Sequence, residues 1–159
     1  MRLKICTSLI ILFMITFSTS QLVHAKQAPT FALEDLNGKT VTLDSFKGED
    51  IILHFWATWC TPCKDELPAM EEVVKQMDIA PKIITINVDS TAQVKKFIEK
   101  SGVTLPVLLD KNNKIQKEYS IFAVPTTIYI DKDGFIKKEQ FGAMDPEQWY
   151  FFIKENMEL

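Results

Sequence analysis

Ile51-Ile52-Leu53-His54-Phe55-Trp56-Ala57-Thr58-Trp59-Cys60-Thr61-Pro62-Cys63 runs from an apolar, β-branched stretch straight into two thiols separated by two residues. Behind it, Leu67, Met70, Val73, Val74 and Met77 recur at helical spacing. The pattern predicts a strand over residues 51–57 that hands over to a helix, with the thiols at the junction. Unpaired backbone N–H groups and the helix dipole there favour negative charge, and so favour the thiolate of Cys60, the species that attacks disulfides. Cys63, about one turn along, comes close enough to close a disulfide with it.

Residues 82–88 form a second run that is apolar on both faces, as expected for a central strand covered by helices. With the helix between them, the two runs make a strand-helix-strand unit, whose crossover implies parallel pairing. Upstream, Phe31, Leu33, Val41 and Leu43 alternate with polar residues around Asn37-Gly38, which predicts a small antiparallel hairpin ahead of the main fold. Downstream, Val94, Phe97 and Ile98 mark a second helix, with Asp89, Ser90 or Thr91 available as its cap and an end near Ser101-Gly102. Residues 106–109 read as a short strand and residues 112–119 as a short helix with Ile115 and Tyr119 on one face. Residues 126–130 and 135–141 flank Asp131-Lys132-Asp133-Gly134 as an antiparallel hairpin. Asp145 then caps a last helix, with Pro146 at its first position and Trp149, Phe152 and Ile153 at helical spacing.

The chain of 159 residues, 47% of them hydrophobic, is long enough for one domain with a proper core. Residues 1–25 stand apart: Arg2 and Lys4 precede an apolar run from Ile5 to Phe17, and a polar stretch leads to Val23-His24-Ala25. They read as a secretory signal peptide cut after Ala25 or as an N-terminal membrane anchor, and residues 26–159 as the folded domain. Either reading places that domain outside the cytoplasm. Residues 26–159 keep 16 basic against 21 acidic residues, a formal net charge of −5, which argues against nucleic acid as a partner. They also keep only Cys60, Cys63 and a single histidine, His54. A structural zinc site needs about four ligands, so no metal is expected. A disulfide closing so short a loop removes little entropy from the unfolded chain, which points away from a purely structural staple.

Taken together, the sequence resembles the thioredoxin superfamily, and within it the extracytoplasmic TlpA/ResA-like thiol-disulfide oxidoreductases. The resemblance covers residues 29–159. It rests on the Trp-flanked Cys60-Thr61-Pro62-Cys63, the Glu66-Leu67-Pro68 that follows, Val124-Pro125-Thr126-Thr127 before a hairpin and last helix, and the leading Ala28-Pro29-Thr30-Phe31-Ala32-Leu33. It implies an α/β, thioredoxin-like fold: a central mixed β-sheet flanked by helices, with an N-terminal β-hairpin and a strand-helix insertion before a cis-proline.

The resemblance also implies roles for matched positions. Cys60 would be the exposed attacking thiolate and Cys63 the buried resolving thiol. Pro62 would preset the first helical turn. Pro125 would be the cis-proline facing the disulfide, with the Val124 backbone offering strand-like hydrogen bonds to an extended substrate segment and Trp59 walling that groove. Glu66, one turn beyond Cys63, would accept and return the resolving thiol's proton, its pKa raised by partial burial; the plainer alternative is an exposed carboxylate that favours the helix dipole. His54 occupies the position, six residues before the first Cys, where thioredoxins carry their proton-handling Asp. It is read as a packed, hydrogen-bonded histidine, with coupling of its titration to the thiols as the alternative. Trp56, Trp149 and Phe152 are read as core.

The function so implied is thiol-disulfide exchange on cysteine-containing extracytoplasmic proteins, in the reducing direction, with apocytochrome c or spore-envelope proteins as substrates. No cofactor is needed beyond a membrane electron donor of the CcdA or DsbD type, and a monomer is expected. An oxidase or isomerase of secreted proteins is the alternative. A peroxiredoxin-like peroxidase fits less well, because that family's Thr or Ser and Pro are missing at the matching distances before either Cys. A copper-binding or chaperone module fits less well too, because such relatives carry a wider Cys spacing and a downstream histidine.

Overall fold

The computed structural model describes residues 26–89 and 91–157. The signal or anchor expected in residues 1–25 and the candidate cap Ser90 lie outside the described residues. Eight strands form one mixed sheet: β1 (Lys26–Gln27), β2 (Ala32–Asp35), β3 (Thr40–Thr42), β4 (Ile51–Trp56), β5 (Lys82–Asn87), β6 (Val107–Leu109), β7 (Thr126–Ile130) and β8 (Phe135–Phe141). Their spatial order is β1-β8-β7-β4-β5-β6-β2-β3. The helices are α1 (Thr61–Lys75), α2 (Thr91–Ser101), α3 (Lys114–Glu118) and α4 (Pro146–Asn156), with a 3-10 turn at Leu43–Phe46.

The continuous apolar runs become the central strands. Every residue of β4 is buried, and it pairs parallel with β5 and antiparallel with β7. Its side chains alternate between two cores. Ile52 and Trp56 join Leu67 and Met70 of α1, Val94 of α2 and Trp149, Phe152 and Ile153 of α4 on one face. Ile51, Leu53 and Phe55 join Phe31, Leu33, Ile115 and Tyr119 on the other. His54, between Leu53 and Phe55 in sequence, therefore points toward α1 and α4, the same side as Ile52 and Trp56.

The two hairpins share one loop design. At Asp35 and again at Asp131 a carboxylate accepts backbone N–H groups two and four residues on, Asn37 and Lys39 at the first, Asp133 and Phe135 at the second. Gly38 and Gly134 take the positive φ (83° and 86°) that such a turn needs at its last loop residue.

Two features depart from expectation. The N-terminal hairpin is not a flap ahead of the fold: Glu34 and Asp35 of β2 pair with Leu109 and Leu108 of β6, so it extends the sheet. The strand-helix insertion, β6 and α3, supplies the edge that receives it. Leu43, expected to end a strand, opens the 3-10 turn instead. Away from the sheet, Glu71 of α1 is tied to the Thr104 backbone and hydroxyl and to Lys75, fastening the segment between α2 and β6 onto α1. Burial opposes the Glu71 carboxylate, but the hydrogen bonds from Thr104 and Lys75 outweigh it and hold its pKa below the ordinary range.

Candidate active site

The site sits where β4 gives way to α1. Ala57 and Thr58 carry the chain off the sheet, and the Thr58 backbone N–H and hydroxyl both donate to Asp89 Oδ2, at 2.5 and 2.9 Å. Cys60 is the N-cap of α1, extended at φ −86° and ψ 104°. Its Sγ accepts the Cys63 N–H at 3.3 Å, so an otherwise unpaired donor of the first turn points at this sulfur. Pro62 lies in that first turn, exposed, where its missing N–H costs nothing. Cys60 and Cys63 form a disulfide with a Cα separation of 5.3 Å.

Access to the two sulfurs is unequal, though narrower than expected. Cys60 keeps 6% of its surface exposed and Cys63 none. The expectation of an openly exposed Cys60 is corrected accordingly: with the disulfide closed, Cys60 is sheltered by the Val124 carbonyl, whose oxygen lies 3.7 Å from its Sγ. A disulfide sulfur has no proton to donate, so this contact becomes a hydrogen bond only after reduction. The Val124–Pro125 peptide is cis. It is anchored on its far side by Gly142 N–H to the Pro125 carbonyl at 3.0 Å and by the Thr126 hydroxyl to the Ala123 carbonyl at 2.8 Å.

Beneath the cysteines the structure brings three side chains together. Glu66 is buried, 3% exposed, which removes the exposed-carboxylate alternative. Its Oε1 accepts the Met144 N–H and the Trp149 indole N–H, both at 2.9 Å, while Oε2 has no hydrogen-bond partner. The nearest opposite group is His54 Nε2 at 3.8 Å, also buried and without a partner. Burial pushes the Glu66 pKa up to about 7, against the two hydrogen bonds that favour the carboxylate. Burial pushes His54 down to about 3, so the imidazole is neutral at physiological pH and the two do not form an ion pair. His54 Nδ1 lies 3.0 Å from the Thr127 hydroxyl.

These shifts give opposed pH dependences of stability. A Glu66 pKa above its unfolded value contributes stability that is present below about pH 4.5 and lost as pH rises through about 7. The lowered His54 pKa contributes stability present above about pH 6.5 and lost as pH falls through about 3. Thermal unfolding of oxidised Glu66→Gln protein is expected to give a higher Tm than the parent at pH 8, where the parent must ionise a buried carboxyl, and little gain at pH 5. An equal shift at both pH values contradicts the raised pKa.

Trp149 was expected only to pack. It does pack, fully buried against Phe152 (6.0 Å between ring centroids) and edge-on to His54 (5.8 Å), but its indole N–H also orients Glu66. Trp59, next to Cys60, is 69% exposed. Sequence reasoning missed Phe122, which is 91% exposed two residues before Val124; its signal was a large aromatic in the short link between α3 and Pro125. Among the described residues no group of three or more His, Cys, Asp or Glu side chains is placed to hold a metal ion, and no helix is long and apolar enough to cross a membrane.

Comparison with known proteins agrees with this geometry. The AhpC/TSA family model matches residues 24–139. Thiol-disulfide oxidoreductase ResA of Bacillus thuringiensis subsp. konkukian is 39% identical over 132 residues, covering 82% of this chain and 76% of that protein. Among solved structures, a thiol:disulfide interchange protein of Chlorobium tepidum superposes with a TM-score of 0.74 at 26% identity, covering 84% of this chain and 97% of that one. The pneumococcal exposed lipoprotein thioredoxin of Streptococcus pneumoniae gives 0.71 at 30% identity, covering 80% and 99%. A Cys-x-x-Cys disulfide at a helix N-terminus, a cis-proline against it and these relatives lead to one assignment: the chain belongs to the AhpC/TSA family and is a ResA-like thiol-disulfide oxidoreductase of thioredoxin fold.

Proposed function

We propose that this oxidoreductase works as a reductant of cysteine pairs in extracytoplasmic proteins. The observation that carries the exchange chemistry is the order of the site: Cys60 outermost, 6% exposed under the Val124 carbonyl, Cys63 fully buried behind it, and the Glu66 carboxyl buried one helical turn deeper. In the reduced protein the Cys60 thiolate attacks one sulfur of a substrate disulfide and forms a mixed disulfide, and the other substrate sulfur leaves as a thiolate that takes a proton. Cys63 then passes its proton to Glu66, its thiolate attacks Cys60 Sγ, and the second substrate thiol is released. The protein ends with the disulfide observed, and two electrons have moved to the substrate. A membrane donor of the CcdA or DsbD type would restore the dithiol, and residues 1–25 would carry the domain across the membrane or hold it there. The exposed-lipoprotein character of the pneumococcal relative supports that location.

An extended substrate segment would lie along Val124, with Trp59 and Phe122 flanking the Cys60 sulfur, each within two residues of the Cys60–Val124 contact. Reduced protein mixed with a disulfide-bonded Cys-x-x-Cys-His peptide of the apocytochrome kind is expected to yield two peptide thiols for each Cys60–Cys63 pair oxidised, counted on the separated peptide because the total number of thiols does not change; a peptide that stays disulfide-bonded sinks the reductant reading. Phe122→Ser is expected to leave the Tm unchanged, because the ring has no packing to lose. It should weaken reaction with that peptide by about 5- to 30-fold, the effect of losing an aromatic anchor of roughly 1–2 kcal/mol. Reaction with dithiothreitol, too small to span the rim, should be unaffected; equal losses for both reagents would place Phe122 outside substrate recognition.

A further inference from the structure

Burial alone would keep the Glu66 carboxyl protonated and unable to accept a proton. Its Oε2 sees no solvent and no donor, yet a carboxylate that accepts the thiol's proton must first exist as an anion. The group aimed at that oxygen is His54 Nε2, 3.8 Å away, buried and equally unpartnered. The other ring nitrogen, Nδ1, meets the Thr127 hydroxyl at 3.0 Å, and His54 and Thr127 are direct cross-strand partners in β4 and β7. Trp149, edge-on to the imidazole, limits its rotation and holds the opposite carboxylate oxygen as well.

We propose that His54 is a positioning residue for the exchange reaction, an uncharged relay in which Thr127 Oγ1–H donates to Nδ1 and Nε2–H donates to Glu66 Oε2, keeping Glu66 ionisable in a dry site.

Donor accounting selects this tautomer. A neutral imidazole has one N–H and one lone pair. If Nδ1 carried the proton, Thr127 would have to accept it, Nε2 would present a lone pair to the carboxylate, and the carboxylate would be left without a donor. With the proton on Nε2, the Thr127 hydroxyl, the imidazole and the carboxylate form one chain in which every donor has an acceptor. With the disulfide closed, Nε2 and Oε2 stand about 1 Å beyond hydrogen-bond distance, and ionisation of Glu66 would draw them together. The other ionisable side chains buried on this face are Cys60 and Cys63, Tyr129 of β7, and Glu71, which is already held by Thr104 and Lys75. The charged residues of α4, Glu147, Lys154 and Glu155, face solvent. No cation therefore competes with His54 for Glu66 among the described residues of these elements.

The inference rests on Glu66 acting as the proton acceptor proposed above, and its test is read at Glu66 itself so that the two stand or fall separately. In reduced full-length protein, the Glu66 side-chain carboxyl carbon and the His54 ring nitrogens are followed by NMR from pH 5 to 9. Expected is a neutral His54 with its proton on Nε2 once Glu66 has ionised, its nitrogen signals moving with the same midpoint as the Glu66 carbon. His54→Phe removes the donor and should raise the Glu66 midpoint by at least about one pH unit, a tenfold change in proton affinity. His54→Gln, which restores an N–H at similar reach, should recover part of it, and Thr127→Val should give a smaller rise. A proton on Nδ1 in the parent protein above the Glu66 midpoint overturns the proposal without any variant being needed. A Glu66 midpoint unmoved in His54→Phe does so as well. An unchanged thiol pH profile in Glu66→Gln, by contrast, removes only the catalytic role of Glu66.

Discussion

Cys60→Ser protein is expected to lose disulfide exchange down to the uncatalysed background, at least about a thousandfold, whereas Cys63→Ser protein is expected to keep the first attack and stall with its substrate covalently attached. The asymmetry follows from position. Cys60 holds the N-cap of α1, receives the Cys63 N–H, and is the residue of the pair that keeps any exposed surface. The helix N-terminus lowers the cost of its thiolate. Cys63 has no exposed surface to offer a substrate but is bonded to Cys60, so it can resolve a mixed disulfide but cannot start one. Non-reducing electrophoresis and intact mass, after exposure of each reduced variant to a disulfide-bonded protein, distinguish them. Adducts that accumulate on Cys60→Ser instead would exchange the two roles.

Glu66→Gln is expected to slow the resolving step by about 10²- to 10⁴-fold, the usual worth of a positioned acid-base group, with the first attack nearly intact. The carboxyl lies three residues beyond Cys63, on the same helical face, and is buried with it. The sign of the pH dependence follows from its pKa near 7: below that value the carboxyl is already protonated and cannot accept. Resolution in the parent protein should therefore quicken as pH rises through about 7, while the variant, having no carboxylate, should lose that inflection. Single-turnover decay of a preformed Cys60 mixed disulfide between pH 5.5 and 8.5 measures this directly. A variant that matched the parent in rate and profile would leave Cys63 to lose its proton by another route.

How much of this was legible in the sequence depends on the distance over which each feature is encoded. The central strands are short apolar runs between turn signals, and the hairpins carry an Asp and a Gly within one loop, so local chemistry specifies them. The cysteines announce themselves by spacing, and Glu66 by lying three residues after Cys63. The cis form of Pro125 was readable only through family resemblance, because the residue pair alone favours trans. What escaped was set by tertiary partners. β1 is two residues long and carries no periodicity of its own, and β2 joins β6 through backbone pairing of the polar Glu34 and Asp35, which no pattern of side chains foretells. The indole of Trp149 meets Glu66 across 83 residues and Thr127 meets His54 across 73, contacts that exist only once the sheet and helices are stacked. Phe122 was overlooked for the opposite reason: apolar residues are presumed buried, and this one is left in water two residues before the Val124 carbonyl that meets Cys60.

As a reductant, the protein needs Cys60 and Cys63 to form a reversible redox couple of low potential. The most direct test is the equilibrium reduction potential of that pair, titrated against dithiothreitol and glutathione. A reversible two-electron couple near the thioredoxin value of about −270 mV is expected. A potential near about −120 mV would make the protein an oxidant of secreted proteins and contradict the reductant assignment, and the absence of any reversible couple would contradict the exchange chemistry itself.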